Sequence, residues 1–333
     1  MKISNESMLS YEQKHWSSGK EFLAGIDEAG RGPLAGPVVA ASVILPHDIE
    51  LPGVTDSKKI SEKKRERLFD EIKSHALALS IGVVHEEEID EKNILQATYQ
   101  AMRQSVGKLG IKPDILLVDG NKADIKHYKQ ESIIDGDQKS LSIAAASIIA
   151  KVSRDRMMRQ YDIAFPAYGF AKHKGYGTKQ HIEAITTYKA SPIHRKSFNP
   201  VLHHLPTFAY LKRNHLIGKL GEQLMACQII RRGHEILETN YNIPMVGEID
   251  IISINKSMLI FTEVKTQETG NNYEKLTSNT DENKGERIIN AIQHYMETHK
   301  LGCDFRCDVG EVVLGKVKPE IRILKENLLN IKQ

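Results

Sequence analysis

Residues 22–45, FLAGIDEAGRGPLAGPVVAASVIL, constrain the fold more than any other stretch of the chain. A strand-type apolar run containing Phe22, Leu23, Ala24 and Ile26 meets Asp27 and Glu28 without a break, and a second apolar run opens at Val38. Between them, Gly30 to Pro37 holds three glycines and two prolines. Such a loop cannot continue as a helix, because proline removes a backbone donor and glycine loses most entropy on ordering. The stretch therefore predicts two strands joined by a rigid loop, with two carboxylates closing the first. Neighbouring strand residues point to opposite faces. Asp27 and Glu28 can then serve one site only if the strand ends between them and the loop turns Glu28 back, a turn that Gly30 and Gly32 permit. The spacing Gly30-Arg31-Gly32-Pro33-Leu34-Ala35 also fits a relaxed dinucleotide fingerprint. That fingerprint must open a helix whose N-terminus holds a pyrophosphate. Here Pro37 and VVAASVIL predict a strand, and two carboxylates would repel the ligand.

Further strand-like runs lie at 22–27, 38–45, 77–85 and 114–119, with a weaker one at 131–135. Apolar residues at Ile94, Leu95, Thr98, Met102 and Val106 follow a helical period that ends at Gly110. The segment SLSIAAASIIAKVSRDRMMRQY reads as a helix apolar nearly all round in its first half, and so buried. Strands first alone and then alternating with helices indicate an α/β layer structure. With 333 residues the chain suits two domains, and the pattern restarts after LPTFAYLKRNHLIG. A helix over about 219–232, strands in GEIDIISI and SMLIFTEVKT with a turn at Asn255 and Lys256, a helix at 286–299 and a closing strand near 309–314 form a smaller unit. Residues 267–285 read as an exposed loop. The boundary is set at 206/207.

Three cysteines, Cys227, Cys303 and Cys307, make an odd count without a CxxC pair, which argues against a disulfide framework or a zinc site. The N-terminal residues are too polar for a signal peptide and no apolar run is long enough to span a membrane. The expected compartment is the cytoplasm. Net charge is only +3, but from Lys172 to Arg213 there are eight Lys or Arg against the single acid Glu183, with Tyr176, Tyr188, Phe198, Phe208 and Tyr210 among them. A stripe of this kind is a footprint for phosphate or a solvated face with its counter-charges elsewhere.

More acids close apolar strands: Asp119 ends DILLVD, and Asp137 lies in IIDGDQKS. Each "DG" alone reads as a turn. Four such acids in one α/β domain would repel each other and raise their own pKa values unless a cation neutralises them. Oxygen ligands select Mg²⁺ or Mn²⁺, and two such ions about 4 Å apart can activate a water and stabilise the leaving oxygen of a phosphodiester. Phosphoryl transfer on a small nucleotide fits the long basic stretch less well, and a binding protein that has lost catalysis fits the retained acids less well.

In their order and spacing, GIDEAGRGPLAGPVVAASVIL, DSKKIS, LLVDGN, GD with SLSIAAASIIAKVSRDRMM, and HKGYGTKQH resemble ribonuclease HII over roughly residues 15–205. The resemblance implies an RNase H-like mixed five-stranded sheet flanked by helices in a domain over 1–206. It also implies hydrolysis of the RNA strand of RNA–DNA hybrids and incision 5′ of ribonucleotides embedded in duplex DNA. Asp27, Glu28, Asp119 and Asp137 occupy the positions of the family's metal-binding and catalytic acids, with Mn²⁺ or Mg²⁺ as cofactor. Gly30, Arg31 and Gly32 match its loop for the 2′-hydroxyl, the group that separates RNA from DNA, and Tyr176 matches a tyrosine that helps hold the junction. Lys58 and Lys59 are assigned at most a phosphate contact, His181 no chemical role, and Asp155 a surface ion pair with Lys151 or Arg159.

From about 213 to 330 the sequence resembles the YraN family of nuclease-like proteins. This implies a smaller restriction-endonuclease-like α/β domain over 207–333. Glu263 and Lys265 stand two apart on one strand and Asp250 on the strand before, the acid plus E-x-K constellation of that fold, with Glu222 on the preceding helix as a further candidate. Asp250 and Glu263 would ligate a metal and Lys265 would stabilise the attacking water or the phosphate. E-x-K alone is a weak signal, and two readings stay open: a nuclease acting on branched or other DNA, or a DNA-binding module that brings the ribonuclease to its substrate.

Overall fold

The structure, a computed structural model, describes residues 8–121, 124–268, 282–315 and 318–325. The described chain divides into two compact units. The first takes its residues from Met1–Met158, Lys174–Gly177 and Ile193–Leu202, and the second from Arg159–His173, Thr178–Pro192 and His203–Gln333.

The first unit is built on a five-stranded sheet of order β3-β2-β1-β4-β5. Its strands are β1 (Leu23–Ala29), β2 (Val38–Ile44), β3 (Ala78–Val84), β4 (Ile115–Asp119) and β5 (Gln130–Ile133). β1 pairs antiparallel with β2 and β2 with β3, whereas β1–β4 and β4–β5 are parallel. This is the mixed sheet expected, and each run read as a strand became one. The continuous apolar run of β2 follows from burial on both faces. Ala41 and Val43 join a cluster with Leu68, Ile72, Ala144 and Ile148, while Val38, Ala40 and Ile44 join one with Ala97, Ala101 and Met102. The helices on the first face are Glu62–His75 and Leu141–Ala164, and on the second Glu86–Lys92 and Ile94–Gly107. Where a side chain would block close packing the sequence has glycine: a Cβ at Gly25 would lie 2.1 Å from the Ser142 carbonyl carbon. The start of the long helix therefore rests directly on β1.

One expectation about β1 fails. The strand does not end between Asp27 and Glu28, since both pair with β2 in the register Asp27↔Ala41 and Glu28↔Ala40. It is β4 that stops, at Asp119. The end of β1 then has a strand neighbour on one side only, and the Glu28 N–H is taken up by Asp27 Oδ1 at 2.7 Å.

The second unit carries another five-stranded sheet, of order β10-β9-β8-β7-β6. Its strands are β6 (Glu235–Ile243), β7 (Gly247–Asn255), β8 (Met258–Glu268), β9 (Phe305–Leu314) and β10 (Glu320–Lys325). Only β8–β9 is parallel. The helix Ile217–Arg231 meets the sheet where Gly221 faces Thr266 and Met225 faces Gly310. The helix Glu282–Thr298 lays Ile288, Ala291, Ile292 and Tyr295 against Ile252, Leu259, Phe261 and Cys307. β9 was expected to close the unit, but β10 follows it, and β6 was not foreseen. Both are edge strands whose sequences, EILETNYNI and EIRILK, are too polar to stand out as apolar runs. The turn between β7 and β8 sits one residue later than expected, with Asn255 still paired to Met258 and Lys256 in left-handed backbone at φ 57°. Most of the stretch 267–285 read as a loop lies outside the described residues. Among the described residues no helix is long and apolar enough to cross a membrane.

Candidate active site

Parallel pairing of β1 and β4 decides the site. The register runs Leu23↔Ile115 to Ile26↔Val118, so one step further Asp27, two residues before the end of β1, and Asp119, the last residue of β4, stand side by side. After β5, Asp135 turns the chain in left-handed backbone at φ 53°, and the short 3₁₀ turn Gly136–Gln138 delivers Asp137. The Gly136 N–H donates to Asp119 Oδ1 at 2.7 Å. A Cβ on Gly136 would lie 2.7 Å from the Ile143 side chain and 3.2 Å from that same oxygen.

The electrostatics record how close these groups are. Burial first, then the Glu28 and Asp119 charges, push the Asp27 carboxyl well above its ordinary range, against hydrogen bonds from Ser147 and the Glu28 N–H. Glu28 is raised by burial and by Asp119, though Arg31, 3.3 Å from it, works the other way. Asp137 is pushed up to about 6 by burial and by Asp56 and Asp119. For Lys58 burial acts downward, but Asp27, Asp137, Asp56 and Asp119 together outweigh it and raise its pKa. Four carboxylates thus converge on one lysine.

Asp56 was not singled out in the sequence, although it opens DSKKIS. It caps the turn Ser57–Lys59 by accepting from the Lys58 N–H at 2.9 Å and is buried. Ser147, on the long helix, was also missed; it bonds Asp27 and Ser57, the latter at 3.0 Å. A serine in an apolar helix gives no sign of this, because its role depends on which strand end the helix faces.

The glycine loop is held from inside by two buried arginines that sequence reasoning also passed over. Arg154 donates to the carbonyls of Pro37 (2.8 Å), Lys174 (2.9 Å) and Ala35 (3.0 Å). Arg195 donates to those of Gly30 (2.5 Å), Arg31 (2.9 Å) and Gly36 (2.9 and 3.1 Å). Burial and the neighbouring Arg154 bring the Arg195 pKa down to about 9. A Cβ on Gly30, at φ 101°, would lie 2.1 Å from Arg154 Nε, so this glycine is needed by the protein's own packing. Gly32 differs: the nearest atom to its Cβ would be the Tyr176 ring, at an ordinary 3.7 Å. Tyr176 is half exposed, and Arg31 lies at the surface. Backbone at Gly32 is thus open to a ligand beside an accessible aromatic ring.

Residues 24–201, just over half of the chain, match the family model described as Ribonuclease HII. The chain belongs to the ribonuclease HII family. It is 58% identical over 191 residues to the ribonuclease HII of Acetivibrio thermocellus, covering 57% of this chain and 75% of the relative. It is 55% identical over 194 residues to that of Bacillus mycoides, covering 58% and 75%. Among solved structures, the ribonuclease H2 of Pyrococcus horikoshii aligns over 55% of this chain and 96% of its own, with 27% identity and a TM-score of 0.48. Residues 221–312 match a second model, Uncharacterised protein family UPF0102. The chain is thus an endoribonuclease of the HII type that carries a UPF0102 domain.

The donor set of the ribonuclease HII unit fits a divalent cation. It consists of carboxylate oxygens only, and the pKa values of Asp27, Glu28 and Asp137 are raised by the burial and repulsion that a bound cation would relieve. Among the described residues no three acidic, histidine or cysteine side chains already form a closed ligand cage. The fit therefore rests on donor chemistry and on charge.

Two expectations around this unit are corrected. Asp155 does pair with Lys151, at 2.6 Å, but it is 3% exposed and not a surface residue; the helix turns that side toward the core. The basic stripe is not a continuous solvated surface: Arg195 and Lys174 are buried, and Lys212 pairs with Glu268 at 2.6 Å. His181 is fully buried, stacked on His173 at 4.4 Å, in keeping with a structural role.

In the UPF0102 domain, Asp250 Oδ2 accepts from the Val264 N–H at 2.6 Å, which sets this carboxylate against β8 between Glu263 and Lys265. Glu263 is buried. The carboxyl of Glu222 is raised by burial and then by Glu248 and Glu263, against Lys219.

Proposed function

We propose that the chain hydrolyses the RNA strand of RNA–DNA hybrids and incises duplex DNA on the 5′ side of an embedded ribonucleotide. The observation that carries this reading is the pair Asp27 and Asp119 side by side on two parallel strands, with Glu28, Asp137 and Asp56 around them and the carboxyls of Asp27, Glu28 and Asp137 pushed upward. Asp27, Glu28, Asp119 and Asp137 would hold Mn²⁺ or Mg²⁺. Bound there, divalent cations supply a water made nucleophilic at neutral pH and charge to stabilise the leaving oxygen.

The chain's own residues do the rest. Ser147 and the Glu28 N–H fix the Asp27 carboxylate, and the Gly136 N–H fixes that of Asp119. Lys58, exposed beside four acids, offers a charge to the phosphate. The loop around Gly32, braced by Arg154 and Arg195, presents backbone groups to the ribose, and Tyr176 packs against the sugar at the junction. The 2′-hydroxyl is then read by a rigid surface, and a deoxyribose leaves that surface unpaired.

The UPF0102 domain binds DNA in this reading and brings the ribonuclease to its substrate. Glu222, Asp250, Glu263 and Lys265 are its candidate catalytic cluster, for branched or other DNA. None of the three cysteines forms a disulfide, which supports a reducing compartment and, with it, the cytoplasm.

Product analysis tests the ribonuclease reading. Incubation with duplex DNA carrying one ribonucleotide and Mn²⁺ or Mg²⁺ should give 3′-hydroxyl and 5′-phosphate ends. A 2′,3′-cyclic phosphate would mean attack by the ribose itself and would refute hydrolysis by a metal-held water.

A further inference from the structure

A cleft of about 340 Å³ opens at one end of the second unit's sheet. It is built by strand alternation. Residues two apart on three strands share a face: Met258 and Ile260 on β8, Arg306 and Asp308 on β9, Ile323 and Lys325 on β10, all lining the cleft. The registers Ile260↔Arg306 and Asp308↔Lys325 bring them side by side. Arg232, just past the helix Ile217–Arg231, and Lys256, in the β7–β8 turn, complete the rim. Met258, Ile260 and Ile323 give an apolar floor, and the exposed side chains of Arg232, Lys256 and Lys325 give a cationic edge.

Charge bookkeeping at this site leaves a surplus. Among the described residues the one acid lining the cleft, Asp308, is held by the Arg306 guanidinium through two bonds of 2.6 and 2.9 Å. That neutralises one pair and leaves three cations. The helix C-terminus adds little negative potential, because the N–H groups of Arg232, Gly233 and His234 already bond its last carbonyls. His234 reports the resulting field: burial, and then Arg306, Arg232 and Lys325, lower its pKa, with Asp308 opposing. Its Nδ1 is buried without a hydrogen-bond partner. A neutral ring nitrogen at the base of a cationic cleft is a ready donor or acceptor for a bound group.

We infer that this cleft binds one nucleotide unit of a single nucleic-acid strand, its phosphate against Arg232, Lys256 and Lys325 and its sugar and base over Met258, Ile260 and Ile323. The volume is at the low end for ligand sites, which suits one nucleotide. A basic groove that tracks the backbone is how strands are held without regard to sequence; here Met258, Ile260 and Ile323 stand where such grooves carry aromatic rings. The cleft shares none of its lining residues with the Glu222, Asp250, Glu263 and Lys265 cluster. The inference rests on the proposed DNA binding by the UPF0102 domain and names its site.

The test uses the full chain and a DNA strand of about 12 nucleotides carrying one photoreactive 4-thiothymidine. After irradiation, peptide mapping should find adducts in residues 255–260 or 323–325. Lys256→Ala combined with Lys325→Ala should remove those adducts. It should also lower the slope of log affinity against log salt by about 0.7, the value for one phosphate no longer neutralised on a single strand. Ribonuclease turnover on a short substrate and the unfolding transition of the second unit should both be unchanged, which shows both units of the variant to be folded. Adducts elsewhere in the second unit, with none at these stretches, would overturn the cleft but leave DNA binding by that unit standing. Adducts in the first unit alone would overturn both. Displacement of the strand by an equal concentration of thymidine 5′-monophosphate would overturn the strand as occupant in favour of a free nucleotide.

Discussion

The Asp27 carboxylate is buried, accepts from Ser147 and the Glu28 N–H, and is raised by Glu28 and Asp119. Its charge is therefore a cost to the fold that a bound cation would offset. Asp27→Asn keeps the shape and an oxygen acceptor while removing that charge. Turnover with Mg²⁺ should fall by on the order of a hundredfold or more, while the thermal midpoint without metal should hold or rise. Asp155→Asn should do the reverse. It breaks a pair at 2.6 Å whose lysine keeps only 21% side-chain exposure, and a stranded buried charge costs about 3 kcal/mol. Denaturant unfolding should show that loss while turnover stays near normal. A variant of Asp155 that lost turnover at full stability would give it a part in the site.

At the scale of elements, the long helix Leu141–Ala164 ties packing to chemistry. It meets β1 at Gly25 and carries Ser147 to Asp27 and Arg154 to the glycine loop. Gly25→Ala would set a methyl group 2.1 Å from the Ser142 backbone. Because the obstacle is main chain, the helix must shift, at about 2–3 kcal/mol for an overpacked core. The same shift should move Ser147 and lower turnover, whereas Gly107→Ala, with open space around it, should alter neither stability nor rate by much. Equal behaviour of the two variants would show that helix and strand do not meet as closely as described. The helix also explains why the site could not be assembled from strands alone: β1 and β4 supply the acids, but a helix from later in the chain orients one of them.

For the molecule as a whole, a divalent cation held at the proposed site should make stability depend on metal. Mn²⁺ at a hundredfold over its dissociation constant should stabilise the ribonuclease unit by about 2.7 kcal/mol, since it binds only the folded site. The unfolding transition of the wild-type chain should move up with Mn²⁺ and return with chelator, and most of that response should vanish in Asp27→Asn. The two units each have their own sheet and core, so two transitions are expected, and the second should not respond through Asp27. A shift of equal size in the variant would place the bound ion elsewhere.

Sequence by itself determined the strands of the first unit and the acids on or just after them. Apolar runs of strand length and a loop of glycine and proline are local signals, and they sufficed for β1, β2, β3 and β4. They also carried the family resemblance, which the comparisons uphold. Only the tertiary structure decided how the acids meet. Asp27 and Asp119 become neighbours through a parallel register between segments about ninety residues apart, and Glu28 stays within the strand because its partner β4, not β1, comes to an end. The same limit hid Arg154 and Arg195, whose guanidiniums look like surface charges in the sequence and prove to be the donors that hold a loop's carbonyls. It hid β6 and β10 as well, since an edge strand needs few apolar residues and leaves a faint pattern. Periodicity and turn chemistry are written along the chain, but burial and charge partners depend on which distant segments pack together.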